Sequence, residues 1–186
     1  MKELSKADML AYFEEINDML AAMNKFGSIL MVGGAALMLV HDARASTYDI
    51  DAIFQPAEEM RGIIKTIADR HSLSGDWLND GVKGFMTPQM QGNQEVFCEY
   101  GNLTVSSLNA ECLLAMKLTS ARSLTKDMSD SIFLMNKLNI KDEDELFDIV
   151  EKYTDKNRQT ATARFFLLEA FEKYRLAKKQ ADSSRE

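Results

Sequence analysis

The sequence feature that most limits the fold is a short apolar run that ends in two consecutive glycines. Residues 28–32 (SILMV) have the length and composition of a buried strand, and Gly33 and Gly34 follow directly. The next residues, AALMLVHDA, have a helix-forming composition. We therefore predict a strand, a tight turn and a helix in this order. Glycines at such a turn let the backbone approach a phosphate group closely, although a tight turn alone would also explain them.

A second strand is predicted for residues 47–54, where apolar and polar residues alternate until Pro56 closes the segment. Asp49 and Asp51 are two residues apart in this strand, so both carboxylates should point to the same face. Two like charges on a buried face need a proton or a cation between them, and a divalent ion such as Mg²⁺ takes carboxylate oxygens. The alternative is a half-exposed strand with both acids in water.

The other elements are predicted from the period of the apolar residues. Two short strands are expected at 95–100 and 102–107, and 76–85 (DWLNDGVKGF) is expected to be a loop or an irregular edge. Further helices are predicted at 5–25 (starting near Ser5 and ended by Gly27), 58–72, 108–122, 126–138, 142–153 and 160–179. Strands and helices mix in the first part of the chain, and helices dominate the second. We therefore predict an α/β core at 1–108 and a C-terminal helical subdomain at 109–186.

Composition narrows the class of protein further. The chain is 46% hydrophobic and 27% charged, which is ordinary for a soluble globular protein. The N-terminus lacks the apolar segment of a signal peptide, and no apolar stretch approaches the ~18 residues that span a bilayer. We expect a cytoplasmic protein without a membrane partner. Its formal net charge of −7 suits a site that recruits divalent cations, but solubility explains the acidity equally well.

Taken together, the glycine pair and the acid pair would place a phosphate-binding turn beside a metal-binding pair, which suits in-line attack on a nucleotide phosphate. The glycines followed by R-x-x-T-x-D-I-D, from Arg44 to Asp51, resemble the signature of the nucleotidyltransferase superfamily. More narrowly, the chain resembles the AbiEii-like and related minimal bacterial nucleotidyltransferases, many of which are toxin–antitoxin components. The segment LLAMKLTSARSLTKDMSD resembles the helical motif of that group, and the resemblance covers roughly residues 28–140.

The resemblance implies an α+β fold with a nucleotidyltransferase-type mixed β-sheet, flanking helices and a C-terminal helical layer. It implies that Gly33 and Gly34 hold the triphosphate of an NTP and that Asp49 and Asp51 are catalytic acids that bind Mg²⁺. Arg44 and Thr47 would complete the nucleotide-binding segment.

In the helical motif, the resemblance implies that Lys117 is a catalytic-site cation that contacts phosphate or the base-side pocket. Arg122 follows it as the second basic residue. Asp127 and Asp130 would orient Lys117, with Asp130 assigned to the nucleotide site; the alternative is that both are acids favoured near the start of a helix.

The chain departs from the resembled pattern at two points. Ala35 follows Gly34, where many members of the superfamily have a serine that reaches phosphate. A third metal-binding carboxylate is not evident, and the candidates are Asp80 and Glu99. Two functions therefore stay open. The favoured one is an enzyme that transfers a nucleoside monophosphate from an NTP to a hydroxyl of tRNA, a protein or a small molecule, with an antitoxin as partner. The other is a non-catalytic module that binds nucleotide or a partner protein.

Overall fold

The structure of the chain is a computed structural model that describes residues 3–43, 45–120 and 125–183. It divides into two compact units. Met1–Met86 and Gln94–Leu108 form the first unit, and Thr87–Asn93 and Asn109–Glu186 form the second. All strands of the described residues belong to the first unit, whereas the second is helical. The predicted α+β class is confirmed. The division into an α/β core at 1–108 and a helical subdomain at 109–186 stays a prediction.

A mixed five-stranded sheet forms the centre of the first unit. The strands of this unit are β1 (Leu4–Ser5), β2 (Gly27–Met31), β3 (Ser46–Thr47), β4 (Ile50–Gln55), β5 (Leu78–Asn79), β6 (Gln94–Glu99) and β7 (Leu103–Leu108). The large sheet has the order β5–β4–β2–β7–β6, with β4–β5 and β2–β7 parallel and the other two pairs antiparallel. Strands β1 and β3 form a separate antiparallel pair. The mixed sheet expected from the resemblance is therefore present.

The first helix, α1 (Lys6–Ala22), begins where the sequence predicts. Ser5 caps it, because its hydroxyl accepts from the Asp8 amide at 3.1 Å while the Ser5 amide donates to the Asp8 carboxylate at 2.9 Å. The predicted end at Gly27 is wrong. The helix stops at Ala22, Asn24 turns the chain with φ 52°, and Gly27 is already the first residue of β2.

One face of the central strands is more deeply buried than the other. Helix α1 packs against β7 and against α3 (Ala57–His71), which in turn packs on β4. The register places one set of side chains on the buried face, each at most 2% exposed: Ile29, Met31, Ala52, Phe54 and Val105. Asp51, Ile53 and Thr104 alternate with these residues and are half-buried on the opposite face.

One strand prediction needs correction. The strand predicted for residues 47–54 is interrupted: Thr47 ends β3, and β4 begins only at Ile50. Asp49 therefore lies before the strand. The segment predicted as a loop or irregular edge contains the short edge strand β5, where Leu78 and Asn79 pair in parallel with Ile50 and Asp51, in agreement with an irregular edge. Two residues of strand are too short for a periodic pattern to reveal.

The second unit is a set of packed helices. Its α-helices in the described residues are α4 (Pro88–Gln91), α5 (Ala110–Thr119), α6 (Thr125–Leu138), α7 (Glu143–Tyr153) and α8 (Ala161–Ser183). Asn109 caps α5 and Asp142 caps α7 through side-chain oxygens. Leu114, Leu134 and Leu167 are at most 2% exposed and form part of its core. Within the described part of the chain, no helix has the length and apolar character needed to cross a membrane.

Candidate active site

The glycine turn and the second acid of the D-x-D motif lie side by side in the first unit. The Val32 amide donates to the Asp51 carbonyl at 2.9 Å, so Gly33 immediately follows the residue paired with Asp51. Gly33 has φ 61°, and a Cβ atom placed on it would lie 3.4 Å from Oδ2 of Asp51. A glycine at this position thus brings the start of the following helix close to the Asp51 carboxylate.

Helix α2 (Gly33–His41) starts at this glycine turn. Its N-cap residue, Val32, has no side chain that can satisfy the free amides of the first turn. Such amides, together with the helix dipole, favour an anion such as phosphate. Ala35 and Ala36 are buried, so the serine hydroxyl seen in many members of the resembled superfamily has no counterpart in this turn. Phosphate binding at this turn would rest on main-chain amides.

Asp49 is held through its main chain at the entrance to β4. The buried Thr47 hydroxyl donates to the Asp49 carbonyl at 3.1 Å. Asp49 is exposed and Asp51 is half-buried, so the two acids do not share a buried face. The expectation that two buried like charges need a proton or a cation between them therefore does not apply here. The hydroxyl of Thr47 thus orders the segment that carries Asp49. The predicted contact between Thr47 and nucleotide stays a prediction.

Asp80, one candidate for a third metal-binding acid, is engaged by two cations. Its Oδ2 accepts from Lys83 at 2.6 Å and from Arg61 at 2.8 Å. The hydrogen bond from Lys83 is the main cause that holds the pKa of the Asp80 carboxyl below its ordinary value, and Arg61 lowers this pKa further. Lys83 also lies 5.8 Å over the ring of Phe54. Asp80 is therefore drawn towards the side of the sheet on which Phe54 is buried.

Glu99, the other candidate, lies on the opposite edge of the sheet. It is exposed on β6 and pairs with Thr104 of β7. Strands β7 and β2 separate it from β4, a distance of roughly 14 Å at ordinary strand spacing. Glu99 and Asp51 are thus not brought together. Among the residues that the structure describes, no group of three or more His, Cys, Asp or Glu side chains is arranged to hold a metal.

In the second unit, Lys117 forms a closed ion-pair cluster with both acids of the helical motif. Its ammonium group lies 2.6 Å from Asp127 Oδ1 and 2.8 Å from Asp130 Oδ2. The side chains of Lys117 and Asp130 are only 14% and 4% exposed. The Ser120 hydroxyl lies 3.4 Å from the second Asp127 oxygen. The acids predicted to orient Lys117 do contact it. Arg44 and Arg122 lie outside the described residues.

Three polar residues near the site were not predicted from the sequence. Arg61 and Lys83 partner Asp80, and Asn79 pairs with Asp51 across β4 and β5. The three-residue spacing from Asp80 to Lys83 is typical of an ion pair within one turn and was available in the sequence. The contact made by Arg61 depends on the packing of α3, and that of Asn79 depends on strand pairing. No local pattern reveals either of them.

The comparisons with known proteins agree with this geometry at the level of the family. Residues 7–179 match the family described as "Nucleotidyltransferase of unknown function (DUF6036)". Searches of curated proteins and of solved structures found no match. Because the matched segment covers nearly the whole chain, including the glycine turn and the Lys117 cluster, this protein belongs to that family of nucleotidyltransferases.

Proposed function

We propose that this protein is a Mg²⁺-dependent nucleotidyltransferase that transfers a nucleoside monophosphate from an NTP to a hydroxyl group. The observation that carries the proposal is the close approach of Gly33, at the uncapped start of α2, to the Asp51 carboxylate. Carboxylate oxygens suit Mg²⁺, and main-chain amides suit the phosphates of an NTP. Membership of the family supports the same class of reaction.

In the proposed reaction, Asp49 and Asp51 hold the cation and the amides of the first turn of α2 bind the triphosphate. When bound, Mg²⁺ neutralises charge on the phosphates and on the departing oxygen. The acceptor oxygen forms a bond to the α-phosphorus, the bond to the bridging oxygen breaks, and pyrophosphate leaves. A carboxylate of the acid pair takes the hydroxyl proton. The Thr47 hydroxyl supports the step by ordering the main chain of Asp49.

The contact between Lys117 and phosphate that the resemblance implies is not part of this proposal. Its ammonium group is enclosed by Asp127 and Asp130, so it would have to leave at least one buried carboxylate to reach a ligand. The cost of separating a buried ion pair is several kcal/mol. We therefore assign Lys117 and Asp130 a structural role between α5 and α6.

The proposed activity is tested by incubating the protein with Mg²⁺, each α-labelled NTP in turn and total RNA including tRNA. Label should move to RNA or to the protein itself. Asp51→Asn and Asp49→Asn should each reduce transfer by at least about a hundredfold, because metal-held charge stabilisation is worth several kcal/mol. Asp69→Asn, an exposed acid on α3, is the matched control and should transfer normally. Transfer that survives both site substitutions would show that the site is misassigned.

A second function, nucleotide binding without transfer, is favoured by Ala35 and by the position of Asp80. Ala35 removes a phosphate-binding hydroxyl, and the carboxylate of Asp80 is engaged by two cations. Equilibrium dialysis with labelled NTP separates the two functions. A non-catalytic module would bind NTP, lose binding in Asp51→Asn, and leave every acceptor unlabelled.

The narrower assignment to toxin–antitoxin nucleotidyltransferases rests on the resemblance of the helical motif. It is tested by inducing the protein and Asp51→Asn at matched levels in a bacterial host. A toxin would arrest growth only with Asp51 intact, and a co-expressed antitoxin would relieve the arrest. Growth that is equally slow with both proteins would contradict this assignment.

A further inference from the structure

We infer that Asn79 at the end of β5, and not the following Asp80, faces the site beside Asp51, so that the site contains two acids and a neutral amide. This inference rests on the proposed function, because it concerns the composition of the same metal-binding site. It comes from three features of the first unit: strand register, the surroundings of Asp80, and the hydrogen bonds of Asn79.

Strand register determines which side chains share a face. In the parallel pair of β4 and β5, Ile50 pairs with Leu78 and Asp51 pairs with Asn79. Ile50 and Leu78 are 0% and 2% exposed and point into the core. Paired residues of neighbouring strands point the same way, so Asn79 is directed to the face of Asp51, about 5 Å away at ordinary strand spacing.

The partners of Asp80 lie on the other side of the sheet. Phe54 is on the buried face, and Lys83 lies over its ring while binding Asp80. Arg61, the second partner, belongs to α3, the helix that packs on β4. To join Asp51 at a metal, the Asp80 carboxylate would have to leave both cations. These ion pairs are largely exposed to solvent and individually weak. It is therefore mainly its position, one residue beyond Asn79, that directs Asp80 away from Asp51.

The amide of Asn79 is oriented by its own loop. Its side-chain oxygen accepts from the Gly81 amide at 3.1 Å, and its nitrogen donates to the Asp76 carbonyl at 3.4 Å. An aspartate at this position has nearly the same shape and keeps the acceptor for Gly81. Asn79→Asp is therefore a conservative way to add a third carboxylate beside Asp51.

The test is the binding of Mn²⁺, used as a paramagnetic probe for the Mg²⁺ site. Binding is followed by the decrease of the electron paramagnetic resonance signal of free Mn²⁺. Asn79→Asp should tighten Mn²⁺ binding on the order of tenfold, because affinity rises with the number of ligand charges. Asp80→Asn should change the Mn²⁺ affinity by less than about twofold. Loss of a residue that supports a metal ligand would instead lower the affinity about 10- to 100-fold. Asp51→Asn should abolish specific binding, and Asp69→Asn should leave it unchanged.

The outcomes separate the inference from the proposed function. If Asp80→Asn weakens Mn²⁺ binding as much as Asp51→Asn does, Asp80 is a ligand and the inference is overturned while the proposed function stands. An unchanged affinity in folded Asn79→Asp also overturns it. If Asp51→Asn binds Mn²⁺ like the unmodified protein, the metal site lies elsewhere and the proposed function fails. Thermal melting verifies that each variant is folded, and Asp80→Asn still decides the question if Asn79→Asp does not fold.

Discussion

Gly33 lies so close to Asp51 that a Cβ atom at position 33 would stand 3.4 Å from the carboxylate oxygen Oδ2. Gly33 also has φ 61°, a conformation that costs a side-chain-bearing residue about 1–2 kcal/mol. We predict that Gly33→Ala lowers the free energy of unfolding by about this amount and weakens Mn²⁺ binding. Urea denaturation and the Mn²⁺ titration measure the two effects.

The matched control for this prediction is Gly62→Ala. Gly62 lies inside α3 with nothing within 4 Å of an added Cβ, so alanine should stabilise the helix by roughly 0.5–1 kcal/mol. Equal stability of Gly33→Ala and the unmodified protein would mean that the glycine turn is not conformationally restricted.

The Lys117 cluster leads to a prediction about stability. Lys117→Met would leave Asp127 and Asp130 buried without their shared cation, which costs about 3–5 kcal/mol. Urea denaturation should show this loss. Lys173→Ala, which removes only an exposed pair with Glu169 on α8, should cost about 0.5 kcal/mol or less. Similar losses in both variants would argue against a structural role for Lys117.

Trp77 links α3 to the strand that carries Asn79. Its indole N–H donates to the Ile64 carbonyl at 3.0 Å, the ring is fully buried, and its own carbonyl accepts from the Ile50 amide at 2.7 Å. Trp77→Phe leaves the Ile64 carbonyl without this donor, so we expect a loss of about 1–3 kcal/mol in unfolding free energy. Phe26→Leu, at a 76% exposed aromatic residue, should stay within about 0.5 kcal/mol of the unmodified protein. A loss no larger than that control would contradict the prediction.

Glu111 confers a pH-dependent part of the stability. The Tyr153 hydroxyl donates to it at 2.8 Å and Lys152 at 3.0 Å, and these contacts, with Tyr153 first, lower the pKa of Glu111 below its ordinary 4.5. A carboxyl group whose pKa is lower in the folded state than in the unfolded state stabilises the fold at pH values above its unfolded pKa. This contribution to stability is lost as the pH falls through the folded-state pKa. The unmodified protein should therefore be more stable than Glu111→Gln above pH 4.5, and the difference should vanish below it.

Urea midpoints measured from neutral to acidic pH test this dependence. Tyr153→Phe removes the principal donor to Glu111, so the stability of this variant should depend less on pH than that of the unmodified protein. A difference between Glu111→Gln and the unmodified protein that persists unchanged into acid would show that the carboxylate is not the titrating group responsible.

Features set by neighbouring residues were predictable from the sequence. The start of α1 follows from the Ser5–Asp8 capping box, and the strand before Gly33 follows from an uninterrupted apolar run. The ordered motifs indicated the superfamily, and the family match agrees. The end of α1 was missed because Asn24, rather than Gly27, adopts the left-handed conformation, a choice that depends on how the chain enters β2.

By itself, the sequence determined the α+β class, the glycine turn followed by a helix, and the identity of the acids available near it. Only the tertiary structure decided which of those acids meet. The pairing of β4 with β5 sets Asn79 beside Asp51, while Asp80, one residue further along, pairs with Arg61 on α3 and with Lys83. Register and helix packing join residues that are distant along the chain, and a one-residue shift exchanges the two faces of a strand. No local pattern carries that information.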